Sequence, residues 1–385
     1  LIKYEKKFNN FKKFTSKDIK FSKTEIESII KKLDFKTKQA IDVAFNRIYR
    51  FHKKQAFKTY KLKDVYKNYL IYKNNPIEKV GVYVPGGKAS YPSTVLMNCI
   101  PAIIAGVKEI YMTTPSAEEN YNPAILYAAK KCKVKEIYKT GGAQAIAALT
   151  FGTKIIKKVN KIVGPGNEYV VLAKKEVCDK VGIDMCAGPS EVTVIADASA
   201  NPDWVASDLI AQAEHDELAQ SILVTTEKNI IFRVNQSLEN QIKKLKNNKI
   251  ALKSLKNFGL AIFVKNKKIL LDIVNNIAPE HLEICTKKPE KISKRVTNAG
   301  SIFLGNYSPE AMGDYIVGTN HVLPTSGSAK YSSGLSVYDF MKRQSVIKVS
   351  KSGIERLGPS VINLAMYENL DGHANSVKIR LKKDN

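Results

Sequence analysis

Apolar positions along the chain change their period near residue 80. Before that point they recur every three or four residues. Ile26, Ile29, Ile30 and Leu33 share a helix face behind Ser22-Lys-Thr-Glu25, which matches a capping box, and residues 38–54 repeat the pattern. The first 75 or so residues are therefore expected to be helical and polar. From Val80 onward short β-rich runs alternate with helical stretches. Strands are predicted over 80–84, 109–112, 134–138 and 161–163, and helices over 93–107, 123–132, 143–149 and 168–178. The rhythm restarts after Gly188-Pro-Ser190, with strands over 192–196, 221–224, 261–264, 282–284 and 301–304 and helices over 204–213, 230–245 and 269–277. Such βα alternation implies mostly parallel sheets with helices on both faces, here as two similar α/β units. A Gly-, Ser- and Thr-rich stretch running to Gly334 reads as a long loop, and a helical tail is predicted from about Ser336.

Size and composition narrow the class. The 385 residues suit two or three domains with sizeable cores. The longest apolar run, around Cys99–Ala105, is broken by Pro101 and falls well short of the roughly 18 residues of a membrane span. The five cysteines are odd in number and never spaced C-x-x-C, which argues against a disulfide framework or a cysteine zinc site. That cysteine usage makes a reducing cytoplasm the expected setting, and no signal-peptide core is visible after Leu1. The net charge of +26 raises nucleic-acid binding as one reading. Its lysines are scattered, as in Lys243-Lys-Leu-Lys, without an arginine and aromatic recognition pattern, so compositional drift is the other reading.

The candidate chemistry lies in the histidines. Four of five sit in polar, loop-rich segments beside acids or amides: His215, His281, His321 and His373; His52 has no ligand-type neighbour and reads as a packing residue. Gln212 and His215 fall on one helix face and could share a divalent cation, or simply finish a polar helix end. Pro279-Glu-His281 lies between a helix and a strand, where α/β folds place ligands, and a carboxylate beside an imidazole can divide acid and base roles; a solvated turn is the alternative. Asp314 could add a hard oxygen ligand, or cap a loop turn. Glu368 and His373, taken in isolation, read as a helix end with a solvated histidine. Pro85-Gly-Gly87 and Gly164-Pro-Gly-Asn167 stand at strand ends; either could admit a phosphate, and turn formation is the plainer reading.

In combination these segments resemble the L-histidinol dehydrogenase family. The resemblance spans about Val80 to Val377, with a looser match before it. It is carried by Gly81-Val-Tyr-Val-Pro-Gly-Gly87, Gly141-Gly-Ala-Gln-Ala-Ile-Ala147, Gly164-Pro-Gly-Asn167, Ala187-Gly-Pro-Ser-Glu-Val192, Gln212-Ala-Glu-His215, Pro279-Glu-His281, Gly313-Asp-Tyr315 and Gly318-Thr-Asn-His-Val-Leu-Pro-Thr325. Glu217 and Leu218 depart from a proline common among relatives, and the 326–330 loop is variable.

The resemblance implies a zinc- and NAD-dependent oxidoreductase of histidine biosynthesis, taking L-histidinol through L-histidinaldehyde to L-histidine with two NAD. It puts the zinc ligands on Gln212, His215, Asp314 and His373, and the acid/base pair on Glu280 and His281. Substrate contacts fall on Ser190, His321 and Glu368, with His281 and the zinc ligands. NAD contacts fall on Tyr83, Gln144 and Asn167. The implied fold has two Rossmann-like units, 81–190 on the NAD side and 191–335 with the zinc and catalytic residues. A helical segment, 1–80, is expected to pack on the second unit, and a helical tail, 336–385, to form a homodimer and complete the partner's site. No membrane or specific nucleic-acid partner is expected. A zinc hydrolase using the same ligands, with Glu280 activating water, is the competing enzyme, and a nucleic-acid-binding protein with a decayed site is the other alternative.

Overall fold

The computed structural model describes residues 1–8, 14–55, 59–86, 91–115, 121–246 and 248–382. Gly87 of the first glycine element lies outside the described residues. The chain forms two compact units, a larger one of Leu1–Gln55 with Ile77–Phe340 and a smaller one of Ala56–Pro76 with Met341–Asn385. In chain order the elements begin with helices α1 (Ile2–Phe8), α2 (Lys23–Ile30) and α3 (Phe35–His52). Strands β1 (Tyr60–Lys63) and β2 (Tyr69–Pro76) belong to the smaller unit.

The first parallel sheet follows: β3 (Lys79–Tyr83), α4 (Pro92–Ala105), β4 (Glu109–Thr113), α5 (Pro123–Lys131), β5 (Glu136–Tyr138), α6 (Gly142–Phe151), β6 (Lys161–Val163), α7 (Glu168–Glu176) and β7 (Gly182–Ile183). The second comprises β8 (Glu191–Ala196), α8 (Pro202–Ala213), β9 (Gln220–Thr225), α9 (Lys228–Ile242), α10 (Asn248–Phe258), β10 (Gly259–Phe263), α11 (Lys267–Ile277), β11 (His281–Cys285), α12 (Pro289–Ser293) and β12 (Ser301–Leu304). Then come α13 (Glu310–Tyr315), β13 (Met341–Lys348), α14 (Lys351–Tyr367) and α15 (Asp371–Leu381). The sheet orders are β5-β4-β3-β6-β7 and β10-β9-β8-β11-β12, five parallel strands each with the same winding. The repeated α/β units expected from the sequence are therefore present.

Strand alternation sorts the second core. Val192, Val194, Ala196 and Leu223 face Val205, Leu209, Ile230 and Val234 of α8 and α9. Ile195, Ile222, Val224, Leu282 and Ile284 face Leu270, Leu271 and Val274 of α11 on the other side. His281 and Glu283 alternate with Leu282 and Ile284, so their side chains project on the α8 face, into a layer of apolar packing.

Several expectations change. Residues 60–76 form strands rather than extending the helical segment, and β13 precedes the tail's helices; β2 pairs antiparallel with β1 and along its length with β13. Partners more than 260 residues away supply the hydrogen bonds that make Tyr69–Pro76 a strand, and no local period encodes that. The N-terminal helices pack chiefly on the first α/β unit, not the second: Glu27 pairs with Lys130, Asp42 with Lys131 and Lys20 with Glu136. Arg47 does reach the second unit, donating through Nε to the Ile316 carbonyl at 2.9 Å. Asp314 lies on a helix, α13, rather than in a loop. Among the described residues no helix is long and apolar enough to cross a membrane.

Candidate active site

Two tiers of polar side chains stand where α8, β11 and α13 meet. Each element contributes at its own repeat: Asp208 and Gln212 are one turn apart on α8, Glu310 and Asp314 one turn apart on α13, and His281 and Glu283 two apart on β11. One tier holds Gln212, His281 and Asp314. The other holds Asp208, Glu283 and Glu310. Gly313 lets α13 come this close, because a Cβ there would stand 2.6 Å from the Phe303 ring of β12. Gly313→Ala is accordingly expected to cost about 1–3 kcal/mol in chemical denaturation by overpacking and to displace Asp314.

The chain enters β11 through Ala278, which caps α11 in the left-handed region (φ 52°). Glu280 follows, buried, its Oε2 accepting the Glu191 N–H at 2.9 Å. Burial pushes this carboxyl up to about 7, against the pull of the neighbouring imidazole. His281 Nδ1 donates to the Glu191 carbonyl at 3.2 Å and lies 3.7 Å from Glu280 Oε2 and 3.8 Å from Glu310 Oε2. Its Nε2 is 3.3 Å from Asp314 Oδ1, close enough for an ion pair but without hydrogen-bond alignment. Burial disfavours the imidazolium, yet Glu280, Asp314 and Glu310 together outweigh it and raise the ring to about 10. For Asp314 the balance runs the other way: burial would raise it, but His281, with the charges of His321 and His215, holds it below the usual carboxylate range.

The second tier is a group of carboxyls whose pKa values burial raises. Burial lifts Asp208 to about 6 and Glu310 to about 8, and raises Glu283 strongly, with Asp208 and Glu310 adding repulsion. Glu283 Oε1 accepts the N–H of Glu310 at 2.7 Å. This bond ties the start of α13 to β11 beneath Asp314.

The other expected residues of the larger unit gather nearby. His321 Nδ1 donates to the Asp314 carbonyl at 3.0 Å, and burial lowers its pKa. Gln212 is fully buried with an unpartnered Oε1, and its Nε2 stands 3.5 Å from Nδ1 of the exposed His215. Ser190 directly precedes Glu191, whose backbone serves both Glu280 and His281. The 325–326 segment closes over it, Gly188 donating to Thr325 Oγ1 at 2.6 Å and Ser326 to Glu191 Oε1 at 2.9 Å.

Tyr83, Gln144 and Asn167 occupy the carboxyl edge of the first sheet. The Tyr83 hydroxyl accepts the Gly142 N–H at 3.0 Å, joining the ends of β3 and α6. Gln144 Nε2 donates at 3.1 Å to the buried carboxylate of Glu5, from α1, which also accepts from Thr140. Asn167 caps α7 through Val170 N–H. Tyr91, opening α4, feels the Asp216 carboxylate, and Tyr315 feels both Asp314 and Tyr91. Glu280 and His281 lie at the amino end of their own sheet, whereas α/β folds generally place ligands at carboxyl ends. Glu368, which caps α14, and His373, on the first turn of α15, are exposed in the smaller unit.

The sequence reading missed Glu191, Glu283, Glu310, Asp208 and Glu5. Glu283 and Glu310 were findable, at two and four residues from His281 and Asp314. Asp208 was findable too, one turn before Gln212. Glu5 carries no such signal.

Among the described residues no three His, Cys, Asp or Glu side chains form a metal-holding group. The expected set draws only His215 and Asp314 of those types from this unit. Gln212 still fits a cation: a fully buried amide oxygen without a partner is costly unless something occupies it.

A family model described as histidinol dehydrogenase matches residues 1–381. The histidinol dehydrogenase of Pelagibacter ubique is 55% identical over 384 residues, covering 100% of this chain and 89% of its own. That of Bradyrhizobium diazoefficiens is 48% identical over 363 residues, covering 94% and 84%. The crystal structure of histidinol dehydrogenase from Elizabethkingia anophelis superposes with a TM-score of 0.95 at 43% identity, covering 99% of this chain and 88% of that one.

Proposed function

Because the chain belongs to the histidinol dehydrogenase family, we propose that it oxidises L-histidinol to L-histidine in two steps at the Glu280–His281 site, with two NAD and one zinc per subunit. The coarser statement, an oxidoreductase that oxidises histidinol for histidine biosynthesis, follows from the family itself. The observation that carries the finer one is the pairing of a buried carboxyl lifted to about 7 with an imidazole fixed by the Glu191 carbonyl.

Gln212, His215 and Asp314 would hold the zinc, with His373 completing the set, and Tyr83, Gln144 and Asn167 would hold NAD. Zinc, when bound, supplies a Lewis acid that orients the amino alcohol and takes up the charge of Asp314. Glu280, Asp314 and Glu310 favour the imidazolium, so His281 acts after that proton has left: as the neutral ring, its Nδ1–H fixed on Glu191, it accepts the alcohol proton at Nε2 as hydride leaves the carbinol carbon for NAD. Ser190, His321 and Glu368 hold the polar groups of the substrate, Glu368 facing its ammonium. The aldehyde stays enclosed, away from competing nucleophiles. Glu280 then takes a proton from water as its oxygen bonds to the aldehyde carbon, and the hydrate loses its hydride to a second NAD. The sum is histidinol, two NAD⁺ and one water giving histidine, two NADH and three protons.

Assembly is part of the proposal. A homodimer in which the smaller unit of the partner subunit supplies Glu368 and His373 would complete each site, in a cytoplasmic enzyme. Mixing Glu280→Gln with His373→Ala protein tests this. An equimolar, fully exchanged mixture should regain about a quarter of wild-type turnover, because about half of its dimers are mixed and each of these keeps one intact site. Mixtures as inactive as their components would contradict sharing. The whole reaction is tested by incubating the protein with L-histidinol, NAD and zinc: two NADH per histidine are expected, and one NADH with aldehyde accumulating would sink the two-step reading. Hydrolysis without NADH would favour the zinc hydrolase instead.

A further inference from the structure

The loop between β6 and α7 is gripped at a single residue by a buried ion pair. Gly164 has φ 111°, and a Cβ there would stand 2.1 Å from the Tyr83 carbonyl oxygen, so its backbone lies directly against the end of β3. Its N–H donates to Asp184 Oδ2 at 2.7 Å, and its carbonyl accepts from Lys174 Nζ at 2.6 Å. Lys174 Nζ also bonds Asp184 Oδ1 at 2.7 Å, with side-chain exposures of 3% and 2%. Lys174 comes from the second turn of α7 and Asp184 from just beyond β7. One ion pair thus satisfies both polar groups of a glycine at the carboxyl edge between β3 and β6. That is the switch point of the first sheet, because β4 lies on the other side of β3. Three residues further on stands Asn167.

We propose that Lys174 and Asp184 are positioning residues for the dinucleotide: by clamping Gly164 they fix Asn167 and the end of β3 in the geometry that NAD binds. The inference rests on the proposed NAD contacts at Tyr83 and Asn167. An ion pair that served stability alone could be replaced by apolar side chains of similar size at little cost, since desolvation offsets most of its attraction. The two backbone bonds to Gly164 cannot be replaced that way.

The test uses the full-length protein carrying Lys174→Met with Asp184→Leu. NAD and histidinol affinities are measured separately by calorimetric titration, and folding by circular dichroism. The double variant is expected to keep the wild-type spectrum and histidinol affinity while its NAD Kd rises about tenfold, the effect of losing one or two hydrogen bonds' worth of order. In steady state the KM for NAD should rise with kcat largely retained. An NAD Kd within twofold of wild type would overturn the inference, as would an equal loss of both ligands, which marks a general structural defect. If the double variant does not fold, Lys174→Met with Asp184→Asn, which leaves no unpaired buried charge and keeps an oxygen to accept the Gly164 N–H, is judged by the same criteria. Wild-type protein that fails to bind NAD would overturn the proposed cofactor and this inference with it. Wild-type binding that Asn167→Ala weakens and the clamp variant does not would overturn the inference alone.

Discussion

His281→Asn is expected to lower the conversion of histidinol to aldehyde by about 10²–10⁴-fold, the usual contribution of a positioned general base. Asparagine can still donate to the Glu191 carbonyl, which His281 Nδ1 reaches at 3.2 Å, but it has no basic nitrogen to face Asp314. Glu280→Gln should behave differently. It keeps an oxygen to accept the Glu191 N–H, now 2.9 Å from Oε2, and loses the group proposed to take a proton from water. Oxidation of supplied histidinaldehyde should fall by a similar factor, with a smaller effect on the first hydride transfer. The pH dependence has a defined sign. Burial holds Glu280 at about 7, so its basic form is lost as pH falls through that value, and the aldehyde step should slow on the acid side. The glutamine variant should lose that dependence. Single-turnover measurements with each substrate separate the two steps, and a Glu280→Gln protein that oxidises the aldehyde at the wild-type rate would remove its assignment as the water-activating base.

Stripping zinc with a chelator is expected to abolish turnover while leaving the circular dichroism unchanged. The apolar clusters on both faces of the second sheet are built from strands and helices and owe nothing to the proposed ligands. Gln212→Leu sharpens the test. Its Oε1 is buried without a partner, so an apolar replacement of similar size sacrifices little folding stability. Zinc affinity, by contrast, should fall by at least about tenfold in competition with a chromophoric chelator, as changes even behind a metal's direct ligands do. Full activity in metal-free protein, or unchanged zinc affinity in Gln212→Leu, would contradict the assignment.

The architecture was legible where local pattern and tertiary role agree. The alternating runs at Val192–Ala196 and Leu282–Ile284 are buried parallel strands because two helical layers need apolar residues on both faces. The antiparallel sheet of the smaller unit was not legible, because β2 is stabilised by β13, far along the chain, and its half-exposed residues carry no clear period. The N-terminal helices could be recognised, but their docking face could not. Helix amphipathicity shows that a face is buried, not what covers it.

The candidate site divides along the same line. By itself the sequence determined the family and the two α/β repeats, and it named the candidate side chains, since those depend on residue identity and short-range period. Only the tertiary structure decided that Glu280 rests on the Glu191 N–H, that Asp314 faces His281 from a helix tied down through Glu283, and that Lys174 and Asp184 grip Gly164. Burial and the field of neighbouring charges set the protonation of these groups, and both are sums over atoms that lie close in space while remaining far apart along the chain.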